Sequence, residues 1–193
     1  MREKHEYFMQ KVGNGVSLPI KIAAISAFTE GLALFSSFIM LLNFPRHGKM
    51  KGMGQIITWS IVDETMHTEA MIRLFRKLIE EDRSLWNDAT KSQIYSICEK
   101  MVELEDKFID LSFQMGSIKG LRGDEVKQYI RYIADRRLIS MGMKGIFKVK
   151  RNPLPWVETL INAPIHTNFF ENRATDYAKG ALTGNWQEIW GEA

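Results

Sequence analysis

Apolar residues recur every three to four positions along most of the chain, which is the spacing of helices that bury one or more faces. The segments are separated by clusters of Pro, Gly and Asn, of which Pro45-Arg46-His47-Gly48 is the clearest break. Acidic residues directly after Gly123 favour a helix start there, because they complement the helix dipole. The pattern predicts an all-α fold with long helices at about Pro19–Phe44, Gly54–Glu81, Asn87 or Asp88 to Gly116, and Gly123–Gly142.

The last quarter of the chain has a different pattern. A basic stretch, Lys144–Arg151, is typical of a solvated loop. It leads to Asn152–Trp156, where two prolines predict an absence of regular helix. From about Asn162 the chain is rich in Gly, Asn and Thr, which is typical of a flexible tail that becomes ordered on binding. We therefore expect a helical domain over residues 1–161 and a tail over residues 162–193.

The apolar segment Ile22–Phe44 is long enough to resemble a membrane span. However, Thr29 and Glu30 lie in its middle, and a carboxylate at the centre of a bilayer is costly. Segments of this length that are rich in Phe and Met also form the central helices of large bundles. We expect a central helix of a bundle here, and no membrane partner.

Composition narrows the functional classes. The chain has 193 residues, of which 45% are hydrophobic and 25% charged, as in an ordinary globular domain with its own core. A net charge of +3 is too small to predict nucleic-acid binding. The single cysteine, Cys98, excludes an internal disulfide and fits a reducing, cytoplasmic compartment. The polar start of the chain does not resemble a signal peptide.

Glu64 and His67 are the strongest candidates for chemistry. Residues three apart on a helix share one face, so both side chains can bind the same ion. Glu30 lies 15 residues before Pro45, and Glu64 lies 16 residues after Gly48. In an antiparallel helix pair, both carboxylates would lie about 20 Å from the turn, at the same height. The spacing therefore permits a metal ion shared by Glu30, Glu64 and His67.

The apolar residues around Glu30 and Glu64 strengthen the case that this spacing marks a metal site. A lone Glu-x-x-His is usually a solvated helix face, but the apolar residues around Glu64 predict that both faces of its helix are buried. Glu30 also lies among large apolar residues, and a buried carboxylate needs a hydrogen-bond partner, a proton or a metal. Metal ligation and a buried structural hydrogen-bond network both remain open at this point.

Four-helix di-metal proteins use a lone Glu from each of two helices and a Glu-x-x-His from each of the other two. This chain carries one of each, and none of its other histidines, His5, His47 and His166, follows a carboxylate at that spacing. Asp63 could orient a histidine ligand or lie on the surface. Tyr177 is unusual, because it stands in a tail too polar to bury an aromatic ring.

Several blocks of sequence, in order, resemble the small (β) subunit of class I ribonucleotide reductase. The resemblance covers nearly the whole chain and corresponds to the C-terminal half of that family. The blocks are TEGLALFSSF (Thr29–Phe38), NFPRHGKMKG (Asn43–Gly52), WSIVDETMH (Trp59–His67), YIRYIADRRL (Tyr129–Leu138), NPLPW (Asn152–Trp156) and NFFENRATDY (Asn168–Tyr177).

The resemblance implies a ferritin-like helical bundle with a di-iron site, or in some members a manganese-containing site. Such subunits react with oxygen, commonly form a tyrosyl radical, and pass the radical equivalent to a large subunit that reduces ribonucleotides to deoxyribonucleotides. Glu30, Glu64 and His67 would be metal ligands, and Asp63 would lie on the radical-transfer route. Glu171 and Tyr177 would be the Glu and the relay Tyr of the tail, whose end would dock on the large subunit.

The chain departs from the family pattern in what it lacks. The resemblance implies further ligands (a carboxylate and a second Glu-x-x-His), a radical Tyr and a relay Trp, all in an N-terminal half, and Val62 stands where many members have Arg. We therefore expect an incomplete bundle that needs an N-terminal fragment to complete its site and then forms a homodimer. The alternatives are another ferritin-like di-metal oxidase, or a degenerate fragment that only binds the large subunit.

Overall fold

The computed structural model of the chain describes residues 2–114 and 116–161, and these residues are almost entirely helical. Within them, the only β-type pairing is an isolated bridge between Ile118 and Leu121. The all-α prediction is therefore confirmed. The elements are α1 (Arg2–Val12), α2 (Leu18–Ala23), a π-helical segment (Ala24–Ala33), α3 (Phe35–Arg46), α4 (Lys51–Glu81), a 3₁₀ turn (Arg83–Leu85), α5 (Asp88–Gln114), α6 (Gly123–Ser140) and α7 (Pro155–Ile161).

The central helix is built from α2, the π-helical segment and α3, and it matches the helix predicted from Pro19 to Phe44. Pro19 lies in the first turn of α2, where a missing N–H costs nothing. The helix ends two residues later than the predicted Phe44, because it continues through Pro45 to Arg46. This proline is the next-to-last residue of the helix and lies in its last turn, so little of the helix is disturbed.

A tight turn after α3 brings α4 back along the central helix. Gly48 and Met50 adopt left-handed backbone angles in this turn, with φ of 74° and 48°. A Cβ on Gly54 would lie 2.5 Å from the Cγ of Pro45, so this position requires glycine. The close approach fixes the start of α4 against the end of α3, and thereby aligns the two helices that carry the candidate ligands.

Helices α5 and α6 pack on the same core and confirm the third and fourth predicted helices within two residues at each end. The side chain of Asn87 accepts a hydrogen bond of 2.9 Å from the backbone N–H of Thr90 and so caps α5. Glu125 accepts one from the backbone N–H of Arg122 at the start of α6. The largest fully buried side chains are contributed by all of the long helices and include Phe28, Leu32, Ile39, Ile61, Phe75, Ile94, Ile109 and Ile130.

Two short helices were not predicted. Helix α1 buries none of its residues, and it is attached to α5 by an ion pair between Lys4 and Glu105 and another between Glu3 and Lys107. Helix α7 begins at Pro155 and includes Trp156. The prediction that Asn152–Trp156 contains no helix is therefore wrong for its last two residues, because proline is well suited to the first turn of a helix.

The stretch Leu18–Arg46 is long and apolar enough to cross a membrane by length and composition alone, with a mean hydropathy of 1.7 in its most apolar window. However, 61% of that window is buried inside the protein. Ile20, Phe28 and Leu32 have at most 1% of their surface exposed, because α4, α5 and α6 pack around them. This burial is what the core helix of a bundle requires.

Candidate metal centre

Glu30, Glu64 and His67 come together between the π-helical segment and α4. One ligand atom from each of the three side chains lies within 4.8 Å of the other two. The Nδ1 of His67 is 3.7 Å from the Oε2 of Glu64, one helical turn away. Two carboxylates and one imidazole at these separations form a donor set that suits iron or manganese. Spacing along the chain thus predicted which side chains meet, and their role as ligands stays a prediction.

The Glu30 carboxylate is the least satisfied group of this cluster. Its Oε2 atom is buried and has no hydrogen-bond partner among the described residues. Burial raises the pKa of Glu30, the neighbouring Glu64 carboxylate raises it further, and His67 partly offsets the rise. A buried acceptor without a donor is costly, and a cation between the two carboxylates would remove both the orphaned acceptor and the repulsion. The residues present therefore fit a metal better than a closed hydrogen-bond network.

Asp63 lies beside His67 without reaching it. The Oδ1 of Asp63 is 3.7 Å from the Nε2 of His67, which is beyond hydrogen-bond distance. The two side chains are 58% and 49% exposed. In this arrangement Asp63 does not orient the imidazole, and its predicted role in radical transfer is not tested by the structure.

The prediction that both faces of α4 are buried is wrong. Ile56, Val62 and Met66 are 51%, 45% and 59% exposed. Asp63 and His67 are exposed as well, and within residues 2–114 and 116–161 no element covers these side chains. The ligand cluster consequently lies at the boundary between the core and an open, largely apolar helix face.

Two contacts around the cluster were missed by the sequence reasoning. The hydroxyl of Thr68 donates a hydrogen bond of 3.4 Å to the carbonyl oxygen of Ser26. The Nε of Arg137 donates one of 3.0 Å to the carbonyl oxygen of Gly31. Both carbonyls belong to the π-helical segment. A glycine in the middle of a helix, directly after Glu30, was the available signal, because such a glycine often marks a close approach of another element.

The remaining predicted site residues lie outside the part of the chain that the structure describes. These are Glu171 and Tyr177, together with the whole predicted tail over residues 162–193. Their roles, and the division into a domain and a tail, stay predictions.

Comparison with known proteins identifies the family. The family described as "Ribonucleotide reductase, small chain" matches residues 1–153. A probable ribonucleoside-diphosphate reductase small subunit of Invertebrate iridescent virus 3 is 56% identical over 170 residues, which are 88% of this chain and 45% of the viral protein.

Solved structures share the fold. A putative class I ribonucleotide reductase from Bacillus halodurans superposes with a TM-score of 0.76 at 24% identity, covering 82% of this chain and 59% of that one. The dimanganese(II) NrdF protein of Streptococcus sanguinis superposes with a TM-score of 0.63 at 22% identity, covering 83% of this chain and 55% of that one. These similarities show the ferritin-like helical fold.

The chain spans about half the length of the curated relatives it matches. The match to the family nevertheless extends over most of the described residues and includes Glu30, Glu64 and His67. The family match and the shared fold agree, and the chain belongs to the ribonucleotide reductase small-chain family.

Proposed function

We propose that the chain is the C-terminal part of a ribonucleoside-diphosphate reductase small subunit and contributes half of the ligands of a di-metal site. The observation that carries this proposal is the cluster of Glu30, Glu64 and His67, in which one buried carboxylate oxygen has no hydrogen-bond partner among the described residues. The three side chains would hold iron or manganese. The dimanganese(II) protein of Streptococcus sanguinis supports manganese as the second possibility.

The other ligands are proposed to come from chain outside these 193 residues. Four-helix di-metal sites use a Glu or a Glu-x-x-His from each of four helices, and this chain supplies the contributions of two. The exposed face of α4 around Val62 and Met66 is where the complementary helices would pack. Such packing would cover the apolar side chains and bring further carboxylates to Glu30 and Glu64. The completed subunit is proposed to form a homodimer in the cytoplasm.

A bound metal pair would supply one-electron redox chemistry with oxygen. The residues of this chain would hold the metals and carry the radical equivalent away. Glu30, Glu64 and His67 would hold the metals away from bulk water, since the π-helical segment and α4 bury one side of the cluster. Asp63, beside His67, is proposed to lie on the route by which the radical equivalent leaves the site.

The tail over residues 162–193 is proposed to dock on a large subunit that reduces ribonucleotides to deoxyribonucleotides. Glu171 and Tyr177 match the tail Glu and relay Tyr of the family, and Tyr177 would carry the radical equivalent between the two subunits. A role in a redox relay would account for an aromatic residue in this polar segment of the sequence.

Metal loading of ligand variants tests the proposal. Glu30→Ala, Glu64→Ala and His67→Ala should each abolish loading of the completed subunit, measured by metal analysis, while circular dichroism shows unchanged helix content. Glu80→Ala is the matched control, because Glu80 is an exposed carboxylate on the same helix, α4. Normal loading in all three ligand variants would show that these residues are structural.

A further inference from the structure

The π-helical segment is held by side chains from two other helices. Thr68, which directly follows His67 on α4, donates to the carbonyl of Ser26, at 3.4 Å. Arg137, on α6, donates to the carbonyl of Gly31 at 3.0 Å. The two acceptors stand on either side of Glu30 in sequence. The segment that carries this candidate ligand therefore accepts hydrogen bonds from side chains of both α4 and α6.

The side chains of Thr68 and Arg137 both come close to Gly31. A Cβ at this position would lie 2.8 Å from the Nε of Arg137, 2.9 Å from the Cγ2 of Thr68 and 2.9 Å from the carbonyl oxygen of Ser26. Because one of these neighbours is backbone, a larger residue would force the segment itself to shift. The Arg137 guanidinium also lies over the ring of Phe35, with 5.7 Å between them. These contacts tie the segment closely to α4 and α6 in the observed register.

Such fixing matters because a π-helix is not the conformation that the backbone prefers. π-Helical turns are rare and are usually short. Strained backbone persists where the surrounding structure determines it, and it concentrates at functional sites. A change to α-helical hydrogen bonding would shift the register by one residue and turn Glu30 by roughly 100° around the helix axis. Its carboxylate would then no longer face Glu64 and His67.

We propose that Thr68 and Arg137 are positioning residues, which clamp the π-helical segment in its register and so hold the Glu30 carboxylate at ligand distance from Glu64 and His67. The clamp is a property of the metal-free fold. Its consequence for metal binding rests on the proposed function. Neither residue would touch the metal, and both act through the backbone that carries Glu30.

Hydrogen exchange in the purified chain without metal tests the clamp by itself. Thr68→Val removes the hydroxyl and keeps the shape of the side chain, and Arg137→Met removes the donor and the charge. Both should speed amide exchange in residues 24–34 while exchange in α5 is unchanged. Thr58→Val is the control on α4, because the Thr58 hydroxyl bonds only back to Gly54 of its own helix, at 3.0 Å. Arg136→Met is the control on α6, because Arg136 is exposed and contacts Tyr132.

Cobalt titration tests the consequence for the ligands. Co²⁺ binding by the same chain, followed by visible absorption, should weaken by about tenfold or more in Thr68→Val and Arg137→Met, as for groups that orient metal ligands. Ile130→Val separates positioning from stability, since it trims a fully buried side chain of α6 that lies about two turns before Arg137. This variant should lower the melting temperature without changing the Co²⁺ dissociation constant.

Hydrogen exchange tests the clamp and Co²⁺ titration tests its effect on metal binding, so the two experiments can fail separately. Unchanged exchange in residues 24–34 for both variants would overturn the clamp. Faster exchange with unchanged Co²⁺ affinity would overturn the positioning role. A chain whose Co²⁺ binding is the same in Glu64→Ala as in the unsubstituted protein would contradict the metal site, and hydrogen exchange would still decide whether the clamp exists.

Discussion

Lys4 on α1 pairs with Glu105 on α5, a carboxylate with no exposed surface, across 101 positions of the sequence. Ser36 of α3 donates to the other oxygen of the same carboxylate. The charge of Glu105 is therefore balanced by a helix that buries none of its own residues. This ion pair holds α1 on the bundle together with Tyr7 and Val12, which are only partly buried where they pack against the core.

Removing the Lys4 ammonium should be strongly destabilising. Lys4→Met leaves the Glu105 carboxylate buried without a counter-charge, and we expect the free energy of unfolding in urea at neutral pH to fall by about 3 kcal/mol. Lys107→Met is the control, because Lys107 pairs with Glu3 and Glu103 on the exposed surface and should change stability little. A Lys4→Met loss no larger than that of the control would show that Glu105 is balanced in another way.

The cost of losing Lys4 should depend on pH. Burial raises the pKa of Glu105, and the Lys4 ammonium partly offsets this rise. The pKa of Glu105 is higher in the folded state than in the unfolded state, so the folded state binds more protons between these two pKa values. The contribution of this carboxyl to stability is therefore lost as pH rises from the unfolded pKa through the folded pKa. Without Lys4 the folded pKa rises further, so the deficit of Lys4→Met should be larger at about pH 8 than at about pH 5. In a Glu105→Gln background the deficit should not change between these pH values.

The buried carboxylate of Asp135 should control access to the basic loop. It accepts hydrogen bonds from the backbone N–H groups of Ile146, Phe147 and Val149 at 2.7, 3.0 and 3.3 Å. Asp135→Ala should make local opening of this loop easier by about 2 kcal/mol, so that trypsin cleaves after its exposed lysines more than about tenfold faster. Asp110→Ala, which removes a surface ion pair with Lys127, is the control. Equal cleavage rates would mean that the loop is held by its other contacts.

Tyr177→Phe should separate assembly from turnover in the completed subunit. The substitution keeps the ring and removes the phenolic proton that coupled transfer of an electron and a proton requires. We expect normal metal loading and normal binding to the large subunit, with almost no nucleotide reduction. Truncation after Gly184 should instead weaken binding, because Trp186 and Trp190 are lost and aromatic anchors dominate interfaces. Near-normal turnover of Tyr177→Phe would make the tail only a tether.

The long helices could be predicted from the sequence because each has its own periodic apolar pattern and its own end signals. Asn87 before α5 and the acidic residues after Gly123 placed two helix starts correctly. Helix α1 could not be predicted in this way, since it buries no residue fully and ion pairs to a distant part of the chain help to hold it in place. The π-helical segment was also missed, because a segment that is apolar on all sides looks the same in α and π registers.

The part of the candidate site that depends on spacing between neighbouring helices could be predicted from the sequence. Glu64 and His67 share a helix, and a single tight turn relates them to Glu30, so counting residues was sufficient to bring them together. Thr68 and Arg137 were not predictable, because Arg137 reaches Gly31 from a helix 106 positions further along the chain. The open face of α4 was misjudged because apolar residues along a helix predict burial, whereas Val62 and Met66 are exposed among the described residues.

Metal stoichiometry before and after completion of the bundle tests the central claim most directly. In the proposed site the chain alone would supply the ligands of two helices, and we predict weak iron binding at less than about one ion per chain. Addition of the segment that supplies the other two helices should raise the content to about two ions per subunit. Tight binding of a full pair of irons by the isolated chain would contradict the account, because it would show that the three side chains need no complementary ligands.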